Sequence, residues 1–149
     1  MNFFAGMGVS ATAMSVEQRR MEAAARNLSI VNVTTPPGGT PVVAYHVRVR
    51  ELGAAVAAQE DPTLQALISG QSAFRGVEAE LVASSPSTRL KFEPGHPHAD
   101  ANGYVAYADI NYLDEMVSLM EASRSFDANV TAYMEARTML QKALEIGRV

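Results

Sequence analysis

Cysteine and tryptophan are both missing from the 149 residues. Without cysteine the chain has no disulfide, no thiolate nucleophile and no zinc–sulfur site, and its redox compartment stays open. Charge is sparse, 19% of residues with a net charge of −4. That is no basic surface for neutralising phosphates, so nucleic acid is not expected as a partner. No apolar run approaches the ~20 residues that span a bilayer. The first positive side chain is Arg19, so the N-terminus lacks the basic n-region of a secretory signal, and a cleaved signal peptide is not expected. A G-x-S-x-G nucleophile elbow and a phosphate-cradling glycine loop are absent too, because SGQSAFRG and GMG have the wrong spacing. The sequence offers no catalytic residue, no cofactor site and no small-molecule substrate.

What is present is an ordinary hydrophobic content of 48%, enough for one domain or two interleaved small ones. The N-terminal segment places Met7, Met14, Met21 and Leu28 seven residues apart, with Ala11, Gln18 and Ala25 at the positions four residues on. This 4–3 alternation predicts a helix with a narrow coiled-coil seam. Gly6 and Gly8 are expected to fray its start, Glu22 and Arg26 to pair across one turn, and TTPPGG (34–39) to stop it. The C-terminal segment carries Met116, Leu119, Ser123, Phe126, Val130, Tyr133, Arg137, Leu140 and Leu144 at 3–4 spacing, widened by Leu113, Met120 and Met134. Asn111 is the expected N-cap, followed by Asp114 and Glu115, with Lys142 and Gly147 towards the other end. From Asn111 to Ile146 such a helix is roughly 50 Å long. That is more than a short partner helix in a small globule covers, so part of the stripe is expected to face other subunits. Its acidic residues are spread along it, which disfavours an anionic membrane surface.

The middle has another period. Val43, Tyr45, Val47 and Val49 alternate with His46, Arg48 and Arg50 in residues 42–50, and Val77, Ala79 and Leu81 alternate with acids in 76–82. Both predict strands, as do 90–92 and 104–107. Residues 54–74 read as weak helix and loop. The expected fold is therefore mainly α with a β insert (α+β). A helical domain of residues 1–35 and 110–149, its two helices paired as a coiled coil, encloses a β-rich middle domain of 36–109.

The stretch FEPGHPHADANGYVAY (92–107) holds the one metal-like cluster, His96, His98 and Asp100 with Glu93 upstream. Histidines two apart on an extended chain can share an ion, but a catalytic zinc takes about three protein ligands with a supporting shell, and the remaining histidine is the distant His46. EPG, HP and NG each specify a backbone bend instead. The favoured expectation is a turn, with no metal site. A small periplasmic metal-binding or hydrolytic protein using His96, His98 and Asp100 stays as the rival.

Three stretches together resemble the flagellar basal-body rod proteins, and among them the proximal rod type. One is VSATAMSVEQRRMEAAARNLSIVNVTT (9–35), with Asn27–Leu28 and Asn32–Val33–Thr34–Thr35. The second is FEPGHPHADANGYV (92–105), whose signature residues are Glu93, Pro94, His96, Pro97, Asp100, Gly103 and Tyr104. The third is 115–148, with Ala122–Ser123–Arg124–Ser125 and Ala128–Asn129–Val130. Ser29–Ile30 and Phe126 depart from the family pattern. The resemblance implies a structural subunit of the periplasmic rod, exported unfolded through the flagellar type III apparatus without signal cleavage. It also implies assembly with copies of itself and other rod proteins, next to the motor base and its surrounding ring, into a tube that transmits torque to the hook. Its terminal helices would line that tube. The residues expected at subunit or helix interfaces are Met14, Met21 and Leu28 on the first helix, and Met116, Leu119, Phe126, Val130, Tyr133 and Leu140 on the second. A distal rod or hook-type axial protein is the alternative within the resemblance.

Overall fold

The computed structural model describes residues 3–51 and 76–146. The 54–74 stretch, expected to be weak helix and loop, lies outside the described residues. Among those described the fold is α+β, with two long helices and two small sheets.

Helix α1 spans Phe3–Ile30. Its sequence is rich in alanine and free of proline, which favours a helix. Gly6 and Gly8 lie inside it rather than fraying it. Each costs about 1 kcal/mol relative to alanine, a penalty that a long cooperative helix absorbs. Val16, Ala23, Ala24 and Asn27 are buried. Met14, Met21 and Leu28 flank them, half-buried. On the exposed side Glu22 bonds Arg19 at 2.8 Å and Arg26 at 2.7 Å, and both arginines hold its carboxyl below the ordinary carboxylate range.

The helix ends before TTPPGG. Val33 N–H donates back to the Ile30 carbonyl at 2.9 Å, and Thr34–Thr35 form a short strand, β1. The prolines act after it: Gly39 N–H donates to Pro36 carbonyl at 2.9 Å, around Gly38 at φ 76°. Strand β2 (Tyr45–Glu51) neighbours β3 (Val77–Ala83) in a two-stranded sheet. Tyr45 and Val47 are half-buried as the alternation predicts, but Val49 is exposed. Strand β4 (Thr88–Phe92) and β5 (Tyr104–Ala108) form an antiparallel hairpin, with Thr88 opposite Ala108 and Phe92 opposite Tyr104. Strand β1 joins its far side, Thr34 opposite Tyr107 and Thr35 opposite Ala106, so the sheet order is β1-β5-β4.

Helix α2 runs Tyr112–Ile146. The expected cap is in place: Asn111 Oδ1 accepts from Leu113 N–H at 3.1 Å, and Asn111 Nδ2 donates to Asp114 at 2.8 Å. Asp114 and Glu115 lie in the first turn, where the helix dipole favours acids. No basic residue occupies the last turn, since Lys142 falls just before it. The side covered by the chain itself is Glu115, Leu119, Ala122, Phe126, Asn129, Val130, Tyr133, Ala136 and Leu140. It shares Leu119, Phe126, Val130, Tyr133 and Leu140 with the predicted stripe. At three of the other positions the covered residue is one earlier, Glu115, Ala122 and Ala136, which leaves Met116, Ser123 and Arg137 exposed, as is Leu144.

By compactness the chain divides into two units. One, Arg19–Arg48 with Leu81–Ala122, contains the three-stranded sheet and the main core of Val31, Ala108 and Ile110, against which Ile30, Val42 and Ala44 pack. Val105, on β5 of the same unit, is fully buried. The other unit is Met1–Gln18, Val49–Glu80 and Ser123–Val149, where Arg50 pairs with Glu80 at 3.0 Å.

Candidate functional site

The turn between β4 and β5, residues 93–103, is tied almost wholly to itself. Glu93 N–H donates to Gly103 carbonyl at 2.8 Å, His96 N–H to Glu93 carbonyl at 3.1 Å, and Ala99 N–H to His96 carbonyl at 3.0 Å. Asp100 is the pivot. Its Oδ1 accepts from Asn102 N–H and Tyr104 N–H, both at 2.8 Å. Its own amide donates to Tyr104 carbonyl at 2.9 Å. This is an aspartate satisfying its local backbone, the reason Asp favours turns. Gly103 closes the loop at φ 82°, and a Cβ there would lie 2.9 Å from Phe92 Cε2 and 3.1 Å from Pro94 Cβ. Phe92 meets Tyr104 edge to face, centroids 5.3 Å apart.

Glu93 anchors the base of the turn. Lys91 Nζ is 2.6 Å from Oε1, and Tyr107 OH donates to Oε2 at 2.8 Å. These two donors, Lys91 first, hold the Glu93 carboxyl below its ordinary value. The same contacts raise Lys91 and Tyr107, whose protonated forms supply the hydrogen bonds.

The histidines are engaged within the chain. His96 Nδ1 accepts from His98 N–H at 3.0 Å, so the ring proton sits on Nε2 while that bond stands. His98 Nδ1 lies 2.8 Å from Thr34 Oγ1 and fastens the turn to β1. These contacts, with those of Asp100, engage one ring nitrogen of each histidine and one oxygen of the aspartate within the chain. Among the described residues no three His, Asp or Glu side chains converge to hold a metal.

A second junction lies at the end of α1. Asn27 is 2% exposed. Its Oδ1 accepts from Tyr45 N–H at 2.7 Å, and its Nδ2 donates to Tyr45 carbonyl at 2.8 Å and to Glu115 Oε1 at 3.0 Å. One amide thus joins α1, the start of β2 and the first turn of α2. Arg26 lies over the Tyr45 ring, 5.6 Å from its centroid.

Both junctions draw on the stretches whose residues suggest a rod protein, and comparison with known proteins agrees. Residues 101–146, from the end of the turn through α2, match the family model for the flagellar basal body rod FlgEFG protein C-terminal region. The flagellar basal-body rod protein FlgC of Salmonella typhimurium is 32% identical over 140 residues, 94% of each chain. That of Escherichia coli O6:H1 is 33% identical over 141 residues, again 94% of each. The Bacillus subtilis protein is 32% identical over 154 aligned positions, 99% of this chain and all of its own. This chain belongs to the FlgC family of flagellar basal-body rod proteins.

It is a structural subunit of the flagellar rod, and FlgC proteins are not a class of enzymes. The FlgC signature residues named from the sequence, Glu93, Pro94, His96, Pro97, Asp100, Gly103 and Tyr104, all lie in or beside the one turn. The expected interface residues lie along the two helices: Leu119, Phe126, Val130, Tyr133 and Leu140 half-buried, Met116 37% exposed. Sequence reasoning placed Asn27 and Thr34 in the motifs that carry the resemblance but gave no long-range contact to them or to Tyr107. For Asn27 a signal existed, since it is the one polar residue in a 3–4 run with Ala23, Ala24 and Val31. A lone polar group in such a run commonly sets register.

Proposed function

We propose that the chain is a proximal rod subunit whose contacts with copies of itself and with other rod proteins build an open helical tube carrying torque from motor to hook. The likeness to FlgC proteins along nearly the whole of both chains carries this reading. In it, residues 1–35 and 110–149 form the inner-tube domain, their helices pairing as a coiled coil, and residues 36–109 lie outside. Met14, Met21, Leu28, Met116, Leu119, Phe126, Val130, Tyr133 and Leu140 are its packing and interface residues. The Asn27–Glu115 bond, which ties α1 to α2, supports a paired arrangement. The chain works by assembly rather than catalysis. It reaches the periplasmic side through the flagellar type III export apparatus without cleavage and meets the motor base and its ring there. Head-to-tail contacts that do not close generate such tubes. Deleting the gene and imaging purified basal bodies tests the proposal. A truncated or missing rod is expected, and a complete rod lacking this protein would overturn it.

A further inference from the structure

Of the six asparagines only Asn102 precedes a glycine; the residues after the other five are Phe3, Leu28, Val33, Tyr112 and Val130. An asparagine loses ammonia when the amide nitrogen of the next residue closes on its side-chain carbon. A bulky neighbour shields that nitrogen, and glycine does not. The turn cannot shed this liability by changing its glycine, because Gly103 sits at φ 82° and a Cβ there would lie 2.9 Å from Phe92 Cε2. The carboxamide has no protection of its own. Asn102 is exposed, and its side chain makes no hydrogen bond among the described residues.

The backbone around it is held instead. Gly103 N–H, the group that must lose its proton and turn on Asn102, donates to Asp100 carbonyl at 3.0 Å. Asp100 Oδ1 accepts from Asn102 N–H on one side of that peptide and from Tyr104 N–H on the other, both at 2.8 Å. Gly103 carbonyl accepts from Glu93 N–H at 2.8 Å. The peptide plane that carries the nucleophile is thus tied at both ends, and rotating it towards the Asn102 side chain breaks the turn.

We propose that Asn102 is a spontaneous deamidation site that the Asp100-centred turn keeps unreacted, so that the modification marks chains in which the turn is open. The step needs only water. Gly103 nitrogen gives up its proton and bonds to Asn102 Cγ, the Cγ–Nδ2 bond breaks, and ammonia leaves with that proton. Water then opens the cyclic imide at either carbonyl, giving aspartate or isoaspartate at 102. The isoaspartate adds a carbon to the main chain between Asp100 carbonyl and Gly103 N–H, so the turn does not re-form with its native bonds. Asp100 acts by positioning. This inference goes beyond the rod-subunit reading and does not depend on it.

The full chain is held at mildly alkaline pH in heavy-oxygen water, once in native buffer and once in guanidinium chloride, and the peptide holding residue 102 is followed by mass. Labelled aspartate or isoaspartate at 102 is expected in denaturant. In native buffer it should form slower by at least about tenfold, since the rate follows the fraction of open turn. Asp100→Ala is expected to raise the native-buffer rate about tenfold, the factor that one bond to a charged acceptor is worth. The same variant should leave the rate in denaturant and the circular dichroism unchanged. Asp100→Asn, which keeps an oxygen acceptor, is expected to hold the slow rate, and Asn102→Gln to abolish the product. Three results overturn the proposal: no product at 102 in denaturant, equal rates in the two solvents, or a folded Asp100→Ala chain that reacts as slowly as the native one. Should Asp100→Ala fail to fold, the ratio between denaturant and native buffer decides, measured on the native and Asp100→Asn chains.

Discussion

Replacing Asn27 by leucine, of nearly the same size, keeps the volume of the junction and removes its hydrogen bonds. Three are lost at once: two with the Tyr45 backbone at 2.7 and 2.8 Å and one with Glu115 at 3.0 Å. Each buried polar group left without a partner costs about 1–3 kcal/mol. Tyr45 is only half-buried, so water recovers part of that loss. The expected cost of Asn27→Leu is therefore about 2–5 kcal/mol, at the high end for a single substitution. Urea unfolding of the full chain, followed by circular dichroism, should show a lower midpoint with the slope unchanged. Asn27→Asp separates hydrogen bonding from packing. It keeps an acceptor for Tyr45 N–H but sets a second carboxylate against Glu115. That variant should be destabilised at neutral pH and recover as the pH falls, because protonation removes the repulsion and restores a donor. A loss below about 1 kcal/mol for Asn27→Leu, or an Asn27→Asp chain as stable as the native one at neutral pH, would refute the claim that this amide joins the three segments.

Gly103→Ala should cost about 1–3 kcal/mol, given the positive φ and the 2.9 Å approach to Phe92. Gly95→Ala, with nothing within 4 Å of its added Cβ, should stay within about 0.5 kcal/mol; thermal melts of the pair make the comparison. Asn111→Ala removes the α2 cap and should cost about 1 kcal/mol, visible as faster amide exchange in the first turn. For Glu93, whose folded pKa is depressed, the contribution to stability is present above the unfolded carboxylate value and fades as pH falls through the folded one. Lys91→Met should move the Glu93 titration, read by carbonyl NMR shifts, up towards the ordinary carboxylate range.

The parts of the fold legible in the sequence are those set by neighbours along the chain. Asn111 could be placed as a cap because its partners, Leu113 and Asp114, are two and three residues away. The turn in 92–107 was legible for the same reason, as Asp100 bonds residues two and four ahead. Thr34–Thr35 was read as punctuation because its strand partners, Tyr107 and Ala106, lie some seventy positions on. The α2 stripe came out one residue late at Met116, Ser123 and Arg137 because hydrophobic spacing cannot tell which face the chain itself covers. For His96 and His98 the spacing favoured a turn but could not show what the rings meet: one Nδ1 accepts from the amide two residues on, and the other lies against a threonine sixty-four residues away.

The long reach of those contacts has a kinetic consequence. Thr34 waits for Tyr107, and Asn27 for Glu115, so a chain that emerges N-terminus first holds its opening quarter unfinished until most of the remainder has appeared. Among the described strand pairs only the β4–β5 hairpin closes over a short loop, at little entropic cost. Contacts of such high sequence separation slow the final closure. The three-stranded sheet is therefore completed late, with the β4–β5 hairpin as the preformed piece that β1 joins.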